Sequence, residues 1–379
     1  MIRRALGVLV TAVVLVDLTA AAAAAYTPRP GPWFNWPMGS VGEQDRIVTH
    51  VNRTIQSTPR GTTIRLAVFT LDRADIADNL IAAYRRGVRV QVVLADSDRV
   101  DSSANQHLMD VLGSDRKRGS FVYVCHFSCR GVHGNEHSKF FLFPRAGAAR
   151  NVVMLGSVNL TGASAGVQWN DLLTVSSESL LRFYTRVFRQ MVRDVPVHRP
   201  YMQDRAGDLE ANVYPHYANA RSNDPVMQRL REIHCRGARG GTGHRGRTVI
   251  RVSMYGWNEV RGVRLARKIG ALHHAGCDVK ALVSSAGGDV VDALTAADVP
   301  FKDADLDTDD DGNKDYYDHQ KYMLVSGRYG RGSSWDVWTG SENWAGSSFF
   351  NDETTILISH RRTYLQYLRN FDLIWKHLG

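Results

Sequence analysis

The sequence predicts an α/β protein built of two similar αβα halves, with mixed, mostly parallel sheets packed about a pseudo-two-fold axis. Three observations carry this expectation. Ile64-Arg-Leu-Ala-Val-Phe69 reads as a buried strand, and Ile250-Arg-Val-Ser-Met-Tyr255 repeats its pattern. Each run is followed by a helical stretch and then by a second strand. A His-x-Lys triplet and then a Gly-Ser-x-Asn segment follow in the same order in both halves. Such self-similarity along a chain marks a duplicated architecture.

The elements can be argued in turn. The first strand is rich in β-branched and aromatic residues and lies between Gly61 and Asp72. In the helix after it, Ile76, Leu80, Ile81 and Tyr84 fall on one face; in the second half Val263, Ala266, Ile269 and Leu272 do. Gly87 and Gly276 stand where a helix stops, and each opens a further apolar run, Val88 to Leu94 and Cys277 to Val283. Strand, helix and strand in that order form a right-handed crossover, which makes the two strands parallel. Apolar runs from Phe140 to Phe143 and from Tyr322 to Val325 follow the two triplets. Each half closes on an aromatic helix, with Tyr184 and Phe188 matching Tyr367 and Phe371. The expected divisions are an export segment at 1–25, a first half at 26–193, a connector at 194–224 and a second half at 225–379. The connector is polar, holds Pro196, Pro200 and Pro215, and shows no period.

Composition narrows the classes. With 379 residues, 44% of them hydrophobic and 22% charged, the chain can bury a substantial core, which excludes large-scale disorder. The net charge of +9 favours phosphate esters, nucleic acid or anionic lipid surfaces as partners, although a basic surface also simply keeps a protein soluble. Arg3 and Arg4 precede an apolar run from Ala5 to Ala25 that ends in Ala23-x-Ala25, the pattern of a cleavable export signal. Asp17 inside that run argues against the alternative, an uncleaved membrane anchor. A secreted, soluble mature chain is therefore expected. Cys125, Cys129, Cys235 and Cys277 in an oxidising compartment allow two disulfides in three pairings. Pairing Cys125 with Cys129 and Cys235 with Cys277 keeps each bond within one half. The rival is a zinc site using His126 or His133 beside Cys125 and Cys129.

The chemistry lies in the paired triplets. Residues i and i+2 of an extended segment share a face, so His137 lies with Lys139 and His319 with Lys321. If the halves meet there, two imidazoles and two ammonium groups converge on one pocket. One imidazole can attack phosphorus, the other can pass a proton to the leaving oxygen and then activate water, and the lysines can hold the non-bridging oxygens. No metal or cofactor is required. Asn159 and Asn343 supply further donors, and Ser157 and Ser341 are candidates to bind substrate. Asp171 and Glu353, after the two asparagines, are candidates to fix the second ring nitrogen of each histidine, with Asp352 a near alternative. One His-x-Lys triplet alone is usually a surface accident, and one Gly-Ser-x-Asn is usually a turn; their duplication carries the reading.

This pattern resembles the phospholipase D superfamily, whose signature is His-x-Lys-x4-Asp and then Gly-Ser-x-Asn, occurring twice. The resemblance runs from Phe34-Asn35-Trp36-Pro37 to the final helix, and the export signal is similar to that of secreted bacterial members. It implies that His137 is the nucleophile forming a phosphohistidine and that His319 is the general acid and base. The residues by themselves leave those two roles interchangeable. One departure stands out: Pro144 and Ser326 occupy the positions of the family's Asp. The family's Asp lies away from the reacting phosphorus, and relatives such as tyrosyl-DNA phosphodiesterases keep only the His, Lys and Asn.

Asp307-Thr-Asp309-Asp-Asp311-Gly312, continuing to Asp318, partly fits a twelve-residue calcium loop, so a structural calcium ion held by Asp307, Asp309, Asp311 and Asp318 is one expectation. A solvated acidic rim is the other. The substrate expected first is a phospholipid headgroup ester, hydrolysed or transferred to another alcohol at a membrane surface. Trp33, Trp36, Trp344, Phe349 and Phe350 are candidates for that surface or for the core. Nucleic acid is the alternative substrate, and a non-catalytic phosphate- or lipid-binding homologue the alternative class. With both triplets in one chain, no obligate protein partner is required.

Overall fold

In the computed structural model, which describes residues 25–97, 100–217 and 223–379, the repeated sequence pattern becomes a repeated structure. The export segment expected at 1–25 lies, except for Ala25, outside the described residues. The first half runs β1 (Gly31–Phe34), α1 (Val41–Gln44), α2 (Arg46–Gln56), β2 (Thr63–Val68), α3 (Ala74–Arg85), β3 (Arg89–Ala95), α4 (Ser103–Leu112), β4 (Phe121–Cys125), β5 (Lys139–Ala146), β6 (Ala149–Gly156), α5 (Gly162–Gly166), β7 (Gln168–Trp169), β8 (Asp171–Ser176) and α6 (Glu178–Met191). The second half runs β9 (Met202–Ala206), β10 (Leu209–Val213), α7 (Pro225–Arg231), β11 (Ile233–His234), β12 (Val249–Met254), α8 (Glu259–His274), β13 (Asp278–Val283), α9 (Gly288–Thr295), β14 (Phe301–Asp303), β15 (Asp305–Leu306), β16 (Tyr316–Asp318), β17 (Lys321–Tyr329), β18 (Gly332–Gly340), β19 (Thr354–Ser359) and α10 (Arg361–His377).

The first sheet is ordered β1-β8-β6-β5-β2-β3-β4, and the second β14-β13-β12-β17-β18-β19-β10-β9 with β11 beside β17. Both are mixed, but the expected majority of parallel pairs is not found. Within these two sheets parallel pairing is confined to β2-β3-β4 and β12-β13-β14, where helices make the crossovers, and a small third sheet, β15-β16-β7, pairs β16 with β7 in parallel. The strands after each triplet return directly as hairpins, β5 into β6 and β17 into β18, and a tight turn imposes antiparallel pairing. Residues 194–224, read as a connector, contain the hairpin β9-β10, which pairs with β19 at the edge of the second sheet. β9 is half-exposed along its length, as an edge strand is, and so carries no apolar run to reveal it.

Each sheet is covered on both faces, which explains the near-continuous apolar runs. Ile64, Leu66 and Val68 of β2 face the core under α2, α3 and α4, while Ala67 faces a second cluster with α6. In the second half Ile250, Val252 and Met254 face α8 and α9, and Tyr322 and Leu324 of β17 face α10. The closing helices cross between the halves. α6 packs on Ile356 and Ile358 of β19, and α10 packs on Phe34, Trp36 and Trp169 of the first half. Tyr184 and Tyr367 reach Thr354 and Asp171 respectively, each in the opposite half. Disulfides join Cys125 to Cys129 and Cys235 to Cys277, the pairing expected, and this leaves no thiolate for the zinc alternative.

Candidate active site

The two triplets come together where the halves meet, and both are positioned in the same way. Residues leading into each histidine pair with the opposite half just before a polar residue. In the first half Glu136 bridges Asp352, and the His137 N–H donates to the Asp352 carbonyl at 3.0 Å. In the second, β16 pairs with β7, and the His319 N–H donates to the Trp169 carbonyl at 3.0 Å. The residue after each of those carbonyls then meets the imidazole. Glu353 Oε1 lies 2.9 Å from His137 Nδ1, and Asn170 Oδ1 lies 3.0 Å from His319 Nδ1.

This register corrects one expectation. Asp171 does not meet His319; its counterpart across the pseudo-two-fold is Thr354, since their N–H groups both donate at 3.0 Å to the motif serines, Ser157 and Ser341. Asp171 instead accepts from Thr339 and Tyr367 and is wholly buried. Asn170 is thus the counterpart of Glu353. The serine hydroxyls are engaged within the protein, Ser157 donating to Asn170 at 2.8 Å and Ser341 to Glu353. They orient the groups that orient the histidines and do not face a substrate. Asp352 accepts from Ser128 and from the Cys129 N–H, so it braces the loop before His137 and leaves the ring to Glu353.

Lys139 and Lys321 are buried, and each ammonium donates to the carbonyl of the histidine two residues earlier. Each also lies over an aromatic ring just past a matching strand, Lys139 at 5.2 Å from Phe69 after β2 and Lys321 at 4.8 Å from Tyr255 after β12. The same rings flank the histidines, with centroids 5.2 Å and 4.7 Å away. Phe69 and Tyr255 had a signal in the sequence, as the last residues of the two matching strand runs. Glu136 and Asp318 form a further pair, both fully buried just before the histidines. The asparagines differ. Asn343 Oδ1 accepts from the Gly256 N–H at 3.1 Å, whereas Asn159 Oδ1 is buried without a partner.

Burial dominates the electrostatics. It holds the Lys139 ammonium down to about 8, against the opposing charges of Glu353 and Glu136, and drives Lys321 well below the usual range with help from the Lys139 charge. His319 is pushed well below its ordinary value by burial and then by Lys321, Lys139 and His137. His137 is lowered by burial, with Glu353 pulling the other way. Asp318 is raised to about 7 by burial, partly offset by its bond from Ser253. The four cationic groups sense one another across the two halves, so they share one site. Crowding them in a dry pocket is costly unless an anion joins them, and an oxyanion such as phosphate satisfies that demand.

The other sequence expectations fall elsewhere. Asp307, Asp309 and Asp315 bring carboxylate oxygens within 4.8 Å of one another, while Asp318 is turned inward beneath His319. Of the four residues expected to hold calcium, Asp307 and Asp309 thus stand together, with Asp315 as a third carboxylate beside them. Pro144 and Ser326 lie five residues along extended strands from the lysines, about 16 Å away, so the departure from the signature does not touch the site. Trp344 and Phe349 belong to the core, while Phe350 is exposed. Among the described residues no helix is long and apolar enough to cross a membrane.

The comparisons agree with this geometry. A family model described as cardiolipin synthase, PLD-like domain, matches residues 51–192, which include the first triplet and its Gly-Ser-x-Asn. Phosphatidylserine synthase from Haemophilus influenzae superposes with a TM-score of 0.59 at 11% identity, covering 92% of this chain and 86% of its own. Polyphosphate kinase from Porphyromonas gingivalis superposes with a TM-score of 0.56 at 15% identity, covering 92% of this chain and 50% of its own, so this chain spans about half the length of that protein. At such identities these likenesses concern the fold. No curated protein matches the chain. Residues 51–192 thus carry a PLD-like domain by the family model, and the fold over nearly the whole chain is similar to that of phosphatidylserine synthase.

Proposed function

We propose that this chain is a secreted phospholipase D-type phosphodiesterase that acts on phospholipid headgroup esters through a phosphohistidine. One observation carries the reading: each histidine is anchored through Nδ1 by the opposite half, which leaves Nε2 of both rings for the phosphate. His137 Nε2 attacks phosphorus and displaces the headgroup alkoxide, which takes a proton from His319. His319 then accepts a proton from water as the water attacks phosphorus and releases His137. Transfer to another alcohol follows the same course.

The partners support this division of roles. A phosphorylated imidazole that keeps its Nδ1 proton carries a positive ring, and the Glu353 carboxylate offsets that charge. His319 faces the neutral amide of Asn170 and the Ser157 backbone and no carboxylate, so it takes up its proton from solvent as the substrate binds, whose phosphate neutralises the lysines that suppress it. Lipid as the substrate is supported by exposed apolar side chains on the loops entering the site. Phe127 and Val132 precede His137, and Phe350 precedes Glu353, with Tyr217 6.0 Å from Phe350. The two disulfides fit an oxidising, extracellular setting.

The test is choline release from phosphatidylcholine vesicles, run beside cleavage of plasmid and single-stranded DNA. Choline release that disappears in both His137→Ala and His319→Ala is expected. DNA cleavage without choline release would favour nucleic acid as the substrate, a second reading supported by the clustered Arg239, Arg328 and Arg331. Binding without turnover of either would mark a non-catalytic homologue.

A further inference from the structure

The segment from Arg236 to Arg247 holds four arginines, five glycines and no acid. Its backbone is fastened to the hairpin β17-β18. The Gly243 N–H donates to Ser326 at 2.9 Å and the Arg239 N–H to Ser333 at 3.2 Å, while the adjoining Cys235 is bonded to Cys277. Between loop and hairpin lies a cleft of about 490 Å³ lined by Arg239, Arg328, Arg331, Thr242, Ser333 and Trp335. Gly240 and Gly241 take left-handed backbone at φ +63° and +78°, which turns the loop back along the cleft wall, and nothing stands over Gly240.

Arg239, Arg328 and Arg331 are exposed, and no side chain among the described residues pairs with them. The nearby acids are few or occupied. Asp278 serves Arg251 at 3.1 Å and His244 at 3.8 Å, and Asp336 accepts from Ser334 and Ser359. Glu232 stands beside the Gly330 turn, its backbone carbonyl accepting from the Gly330 N–H at 2.9 Å. Three guanidinium forks in one concavity match phosphate oxygens and focus a positive potential there.

We propose that this cleft is a binding site for a linear polyanion, namely a nucleic acid strand, separate from the catalytic pair. Position decides between nucleic acid and an anionic bilayer. β17 begins at Lys321 in the active site and carries Arg328 seven residues on, about 23 Å along the strand. A flat bilayer resting on the cleft would therefore leave the catalytic phosphate position far from the lipid. A nucleic acid strand, with a phosphate at every nucleotide, can follow the surface over that distance. The proposal stands whether the reacting phosphate is a lipid's or a nucleotide's.

The test is fluorescence anisotropy with a labelled 20-nucleotide single-stranded DNA, titrated at several salt concentrations. The full chain carries His137→Ala so that the strand is not cut. Combining Arg239→Glu, Arg328→Glu and Arg331→Glu is expected to weaken binding at least about tenfold. It should also lower the slope of log affinity against log salt by about 2, three contacts at about 0.7 each. In the background with His137 intact, the same changes should leave turnover of bis(4-nitrophenyl) phosphate unaltered, which separates failure here from failure of the catalytic reading. Should the triple variant not fold, Arg239→Gln and Arg331→Gln singly should each lower the slope by about 0.7. Absent DNA binding, an unchanged affinity and slope, or a loss confined to phosphatidylglycerol vesicles would each overturn the proposal.

Discussion

Glu353 and Asn170 occupy equivalent positions in the two halves, yet one gives His137 a carboxylate and the other gives His319 a neutral amide. The fold is duplicated and the charge is not. Glu353→Gln keeps shape and a hydrogen-bond acceptor while removing the charge that offsets a phosphorylated ring. Its expected effect is a fall in kcat of at least about 10²-fold with little change in KM. Steady-state kinetics on vesicles, with circular dichroism as a check of folding, measures it.

Asn170 acts on the substrate only through His319, so it is a positioning residue. Asn170→Asp places a charge beside that ring and favours its protonated form, by one to three units in comparable pairs. The alkaline limb of the kcat/KM profile that reports loss of the His319 proton should move to higher pH, because the free enzyme then keeps that proton until a higher pH is reached. Asn170→Ala should lower kcat without that displacement. Identical pH profiles for the two variants would refute an electrostatic role.

Lys139 adds a further loss on the alkaline side. Burial brings its ammonium down to about 8, so the charge that holds the substrate phosphate is lost as pH rises through that value. kcat/KM should fall above pH about 8, whereas kcat should persist to higher pH because bound phosphate restores the proton. Asp318→Asn removes a carboxylate that supports the Lys321 charge and should move the alkaline limb lower. A pH–rate series on wild type and variant checks both.

Stability should depend unequally on the two disulfides. Cys235 and Cys277 are separated by 42 residues, for which loop-closure entropy gives about 4 kcal/mol, against about 2 kcal/mol for Cys125 and Cys129, separated by 4. Urea unfolding of the paired Cys→Ala variants should preserve that order.

Much of this was legible in the sequence because duplication made weak motifs strong. The triplets, the paired asparagines, the closing tyrosines and Glu353 all followed from matching one half against the other. Asn170 was missed because Ser157 precedes it by 13 residues while Ser341 precedes Glu353 by 12, and charge drew the match to Asp171. Only the backbone register reveals the offset. Asp318 was read with the acidic loop before it, although as the counterpart of Glu136 it belongs beneath its histidine. The parallel majority failed for a related reason. The apolar runs after the triplets show burial on both faces but do not show that tight turns send β5 and β17 straight back.

The most direct test of a shared site is rapid-quench mass spectrometry of the His319→Ala variant mixed with bis(4-nitrophenyl) phosphate. A nitrophenylphosphoryl group on His137, stable to alkali and labile to acid, should accumulate, because the half supplying the nucleophile is intact and the half supplying the proton is not. An adduct on any other residue, or undiminished turnover in His137→Ala, would contradict the account.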